Sequence, residues 1–175
     1  MFHFNNIFTY RIFWFVLILS ALIWECIVLL LQYFFYFKPC VLCIYQRGAL
    51  YGIILAGLIG IIAPNKKICR YSGILLYIYS AIEGMYFAMK YVRRQLYPSP
   101  FDTCDFSISF PTYFRLDKWI PFIFNPIGDC LTKEKQFLLL EISQWSVIIF
   151  GLYLIIIVLI LLINLFYYIR LFLRE

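Results

Sequence analysis

The chain has 175 residues, of which 65% are hydrophobic and 14% charged. A soluble domain of this length cannot hide so much apolar surface, so the composition specifies an integral membrane protein. The formal charge of +6 sits on Lys and Arg flanking apolar stretches, with no basic stripe among polar residues, which argues against nucleic acid as a partner.

Four stretches reach the roughly 20 residues needed to cross about 30 Å of hydrocarbon. They run over 12–31, 44–63, 71–89 and 145–166. The first is too long for a signal-peptide core and has no small-residue cleavage site, so it is expected to be retained. No internal repeat or interdomain linker is evident. The expected architecture is one all-α membrane domain over 1–175, a four-transmembrane-helix bundle with a short external loop (32–43) and a long one (90–144).

The short loop ends in Lys38-Pro39-Cys40-Val41-Leu42-Cys43-Ile44-Tyr45-Gln46-Arg47. Proline is at home in the first turn of a helix, where its missing N–H has no partner to lose. A helix starting here sets Cys40 and Cys43 one turn apart at the positive end of its dipole, which favours thiolate over thiol. Arg47 follows Cys43 by four residues and so shares its face one turn deeper. A dithiol, a fixed positive charge and a membrane edge together point to electron transfer. Simple snorkelling of Arg47 to headgroups is the plainer alternative.

Beyond the second stretch, residues 65–70 form a short basic turn after Pro64 that contains Cys69. The long loop holds six of the nine acids, five of the seven prolines, and Cys104 and Cys130. Pro98-Ser99-Pro100 and Asn125-Pro126-Ile127-Gly128-Asp129 predict irregular backbone. Residues 113–124 can place Leu116, Trp119, Ile120 and Ile123 on one face, as in a short helix lying at the membrane surface. A loop packed on top of the bundle explains the same pattern. Glu25 and Glu83 lie within spans, where a charge is costly and usually functional. The sequence alone does not separate a proton path from a helix-packing contact.

Arg11, Lys66, Lys67, Arg70, Arg170 and Arg174 fall on one side, which places both termini in the cytoplasm. Lys90, Arg93 and Arg94 oppose this, with the smaller weight of a long loop. Of six cysteines, Cys40, Cys43, Cys104 and Cys130 then lie outside, where disulfides persist, and an even count fits two bridges. A purely structural bridge is the plain alternative for the loop cysteines. It is weaker for a CxxC, since closing so short a loop restrains the unfolded chain little. Zinc is disfavoured because the only histidine is His3, and haem because no span contains histidine. Cys26 and Cys69 are read as bystanders.

The run 38–47 resembles that of the DsbB family, quinone-linked disulfide-forming proteins of the bacterial inner membrane. Gln-Leu-Tyr-Pro-Ser-Pro-Phe at 95–101, Thr-Cys-Asp-Phe at 103–106, Leu-Asp-Lys-Trp at 116–119 and Gly-Asp-Cys at 128–130 continue the likeness. The resemblance implies a protein-dithiol:quinone oxidoreductase with redox-active disulfides Cys40–Cys43 and Cys104–Cys130. The second would accept electrons from a periplasmic DsbA-like dithiol protein, and the first would lie beside ubiquinone or menaquinone. Arg47 matches the family's quinone-contacting arginine. Gln46 stands where familiar members carry Glu, and Tyr91 roughly where they carry His, leaving the proton donor to the quinone open. Alternatives are a paralogue dedicated to one substrate, or an enzyme like the vitamin K epoxide reductases, whose CxxC follows the loop pair instead of preceding it. A membrane assembly protein with two structural bridges is the alternative from another class.

Overall fold

The computed structural model describes residues 4–36, 38–97, 128 and 141–172. Four long helices follow a short 3-10 helix, Phe4–Thr9: α1 over Arg11–Phe34, α2 over Val41–Ile62, α3 over Lys67–Leu96 and α4 over Ile142–Phe172. No strand occurs among the described residues. The expected surface helix at 113–124 lies outside them, as do Cys104 and Cys130.

α1, α2 and α4 are long and apolar enough to cross a membrane. At 30 residues α3 has the length, but its tyrosines and charged residues keep it below the same measure of apolarity. It also outruns the expected span, continuing past Met89 to Leu96. Lys90, Arg93 and Arg94 are therefore helical, and the two arginines occupy the last turn, where cations complement the helix dipole. Cys69 lies in the first turn of α3 and not in the connecting turn, which is confined to the residues around Pro64 and Asn65.

Apolar faces gain little by leaving lipid for one another, so helices in a bilayer associate chiefly through close packing of small residues. On α2, Gly52, Ala56 and Gly60 recur every four residues, and on α3 so do Ser80, Gly84 and Ala88. These rows meet neighbouring helices directly. A Cβ at Gly52 would strike Ser80, one at Gly60 the Trp14 ring, and one at Gly84 the Phe150 ring. Trp14 is completely buried and donates its indole N–H to the Phe8 carbonyl at 2.8 Å, which ties the 3-10 helix to the bundle. Tyr77 on α3 donates to the Tyr153 carbonyl at 2.7 Å, and the Tyr153 hydroxyl lies 3.1 Å from Ser20 on α1. The outward sides of α1 and α4 remain broadly apolar and exposed.

The buried positions of α1 are Trp14, Leu17, Ala21, Glu25 and Leu31. Four of these form a single stripe at helical spacing, and Glu25 occupies a place on it that an apolar residue would ordinarily take. A carboxylate is thereby pointed into the bundle.

Candidate functional site

α2 begins two residues later than the proline rule suggests. Cys40 is the N-cap, with extended backbone (φ −85°, ψ 170°), and Pro39 precedes the helix instead of occupying its first turn. The Cys40 sulfur serves as the cap acceptor, taking the Cys43 backbone N–H at 3.4 Å. It thus fills the role usually given to a Ser or Asp oxygen. The two sulfurs lie 3.0 Å apart as thiols. Such a pair can be oxidised to a bridge with small side-chain movement, and the helix N-terminus stabilises a negative sulfur.

Cys40 is completely buried against Leu42 and Tyr91, and Cys43 packs at the edge of the same group. Tyr91 is itself completely buried. Cys43 is the more accessible of the two and opens onto a cleft of about 540 Å³. This cleft runs between α1, α2 and α4, with Trp24 and Leu31 from the first, Leu50 from the second and Phe150 from the last among its walls. Its mostly apolar lining with few polar groups is that of a site for a small apolar ligand.

The polar groups are concentrated at Arg47. Its Nε lies 3.0 Å from Glu25 Oε1, with the two side chains only 3% and 5% exposed. Its Nη2 donates to Gln32 Oε1 at 3.0 Å. Tyr51, one turn further along α2, also interacts with the Glu25 carboxylate. The positive charge beneath Cys43 is thus held by two groups of α1, not extended to headgroups. Gln46, next along α2, is buried and lines the cleft as well.

A second feature joins the long loop to the short one. The Gly128 backbone N–H donates to the Pro39 carbonyl at 3.0 Å, and a Cβ at Gly128 would run into the Lys38 carbonyl oxygen. Only glycine permits so close an approach of two backbones.

Of the expected site residues, Cys40, Cys43 and Arg47 come together, while Cys104 and Cys130 lie outside the described residues. Cys26 is on the exposed side of α1, and Cys69 is at the far end of α3 from the Cys40–Cys43 pair. Glu83 is half-buried on α3 and hydrogen-bonds with Tyr79 of the same helix, away from the cleft. Sequence reasoning weighed Glu25 without assigning it and missed Gln32. Both could have been found from the i, i+7 spacing that sets them on one face of α1.

The family model described as "Disulfide bond formation protein DsbB" matches residues 10–160. A protein of Sodalis glossinidius named "Disulfide bond formation protein B" is 48% identical over 162 residues, covering 93% of this chain and 92% of its own. Proteins of the same name from Pectobacterium atrosepticum and Yersinia enterocolitica are 49% and 47% identical over 148 residues, covering 85% of this chain and 84% of theirs. With a thiol pair capping a helix beside a buried arginine, and with the match spanning most of its length, the chain belongs to the DsbB family of disulfide bond formation oxidoreductases.

Proposed function

We propose that the protein is a single four-helix domain of the bacterial inner membrane, with both termini cytoplasmic, that reoxidises a periplasmic DsbA-like dithiol protein and passes the electrons to a membrane quinone. The observation that carries this reading is that Cys43 and Arg47 open onto the same apolar cleft. The cleft suits a quinone head group, with apolar walls for the ring and hydrogen-bond donors on α2 for its carbonyl oxygens.

The relay runs by thiol–disulfide exchange through the cysteines. A thiolate of the partner attacks Cys104, breaking the Cys104–Cys130 bridge and releasing Cys130 as a thiolate. The partner's second thiol then resolves the mixed disulfide, leaving the partner oxidised and Cys104 reduced. Cys130 attacks Cys40 and displaces Cys43 as a thiolate. Attack of Cys104 on Cys130 restores the loop bridge and leaves Cys40 and Cys43 as the reduced pair. A bound quinone supplies the two-electron sink that returns this pair to a disulfide. Arg47 contributes a fixed positive charge both to the Cys43 thiolate and to the oxygen on which negative charge develops. Gly128 supports the middle step. Its bond to Pro39 holds a backbone position two residues from Cys130 against the residue before Cys40, and two residues span at most about 7 Å.

The test is an assay of the purified protein in detergent, with reduced periplasmic dithiol protein as donor and a short-tailed ubiquinone as acceptor. Quinone reduction that depends on all four cysteines is expected, and oxidation of the donor without quinone consumption would overturn the reading.

A further inference from the structure

We infer that the outward face of α3 is a docking surface for a second copy of this chain, with Tyr79 and Glu83 as the polar centre of a two-fold contact. In a bilayer, the side of a helix turned away from its own bundle meets lipid tails unless another protein covers it. Outward residues of α1 and α4 such as Leu19, Ile23, Leu152 and Ile155 are hydrocarbon and suit lipid. The outward face of α3 has a different chemistry. Leu75, Tyr79, Ile82, Tyr86 and Met89 are each more than half exposed, and they follow one another at alternating steps of four and three residues. That repeat keeps a seam on one side of a helix along its length, and it is the spacing at which two helices interlock.

Glu83 lies beside this seam, one turn from both Tyr79 and Tyr86. The Tyr79 hydroxyl donates to its carboxylate. Both residues sit near the middle of the stretch between Arg70 and Lys90, deep in the hydrocarbon. An ionisable group at that depth ordinarily faces the bundle interior or a wet cavity. Glu83 is instead half-buried at the edge of the outward face, away from the cleft. Its bond to Tyr79 fills one of about four acceptor positions on a carboxylate, and lipid tails offer nothing for the others. The pair itself indicates what covers it. Copies inserted into one membrane share an orientation, so a two-fold axis along the membrane normal sets each residue of α3 at the depth of its own counterpart. Tyr79 supplies a donor and Glu83 an acceptor within one turn, so the pair meets its complement at equal depth on the other copy. A different membrane protein would need a donor and an acceptor set at that depth by an unrelated sequence. Hydrogen bonds of this kind between helices stabilise their association in a bilayer.

The test measures association of the full chain, labelled at its C-terminus with donor or acceptor dye, in vesicles of phosphatidylethanolamine and phosphatidylglycerol. Energy transfer over a range of protein-to-lipid ratios gives the dimer constant, and unlabelled chain should compete the signal away. Glu83→Leu and Tyr79→Phe should each weaken association roughly three- to thirtyfold, the value of one interhelical hydrogen bond in a bilayer. Glu83→Gln keeps a donor and an acceptor without a charge and should associate as wild type does. Leu19→Ala, on the outward side of α1, should leave the constant unchanged. Thermal unfolding in detergent separates lost association from lost folding. Glu83→Leu is expected to unfold no earlier than wild type, because the bond it gives up is to Tyr79 of the same helix. A wild type that stays monomeric at every ratio would overturn the inference and leave the face to lipid or to a different membrane protein. Association left intact by both Glu83→Leu and Tyr79→Phe would overturn it too, by placing the contact between copies elsewhere.

Discussion

Glu25 on α1 and Arg47 on α2 meet at 3.0 Å with both side chains almost entirely withdrawn from solvent. Neither charge is tolerable there alone, because removing one member of a buried pair leaves the other desolvated and unpaired, at a cost of about 3–5 kcal/mol. Arg47→Gln should therefore lose stability as well as quinone affinity and turnover, with the KM for the reduced partner almost unmoved. The double variant Glu25→Gln, Arg47→Gln should recover most of the stability and none of the quinone affinity. Thermal unfolding and two-substrate kinetics on the four-member cycle check this. A double variant no more stable than Arg47→Gln would show that the two residues are not coupled.

Gly128→Ala places a methyl group against the Lys38 carbonyl. Overpacking of this kind typically costs about 1–3 kcal/mol, enough to release the backbone bond to Pro39. Transfer between the loop cysteines and Cys40 should slow by roughly tenfold in single-turnover experiments, following from that cost. Reoxidation of a chemically reduced Cys40–Cys43 pair by quinone should proceed at the wild-type rate. Slowing of both steps alike would place the effect in the bundle and not at the clamp.

Cys104→Ser should block electron entry from the partner while leaving the Cys40–Cys43 bridge able to form. The measurement is partner oxidation in the quinone-coupled assay, with the oxidation state of Cys40 and Cys43 followed by alkylation and mass shift. Undiminished partner oxidation would assign the entry point elsewhere.

Cys26→Ala and Cys69→Ala should keep turnover close to wild type. Cys26 sits on the exposed side of α1 and Cys69 in the first turn of α3, at the opposite end of that helix from Tyr91, which packs on Cys40. A loss beyond about tenfold at normal protein level would exceed what a surface substitution does and would contradict the relay.

Much of the fold was legible in the sequence because a membrane helix is specified by the length of an apolar run, and the runs underlying α1, α2 and α4 carry at most one charged residue each. α3 was underestimated at its end, since Lys90, Arg93 and Arg94 stop the apolar run without stopping the helix. The Cys40–Cys43–Arg47 face was legible for a local reason, as it follows from helical spacing alone. Pro39 misled by two positions: it precedes the cap, and the cap is a sulfur, which no propensity rule for oxygen caps anticipates. The partners of Arg47 were not legible. Glu25 and Gln32 share a face of α1, but nothing along the chain says which residue of another helix stands opposite.

The four-residue step from Cys43 to Arg47 amounts to about 6 Å along the helix axis. That is about a fifth of a hydrocarbon core roughly 30 Å thick. A charge carried through the whole bilayer exchanges about 2.3 kcal/mol with each 100 mV of membrane potential, so the two electrons of one disulfide carried over this step exchange only about 0.9 kcal/mol together. On the proposed relay, electrons entering at the α2 cap and leaving beside Arg47 would cross only a small part of the membrane's field. Disulfide formation by this protein should continue at within roughly fivefold of its normal rate when a potential of about 100 mV is collapsed, drawing on the oxidation state of the lipid phase far more than on its voltage.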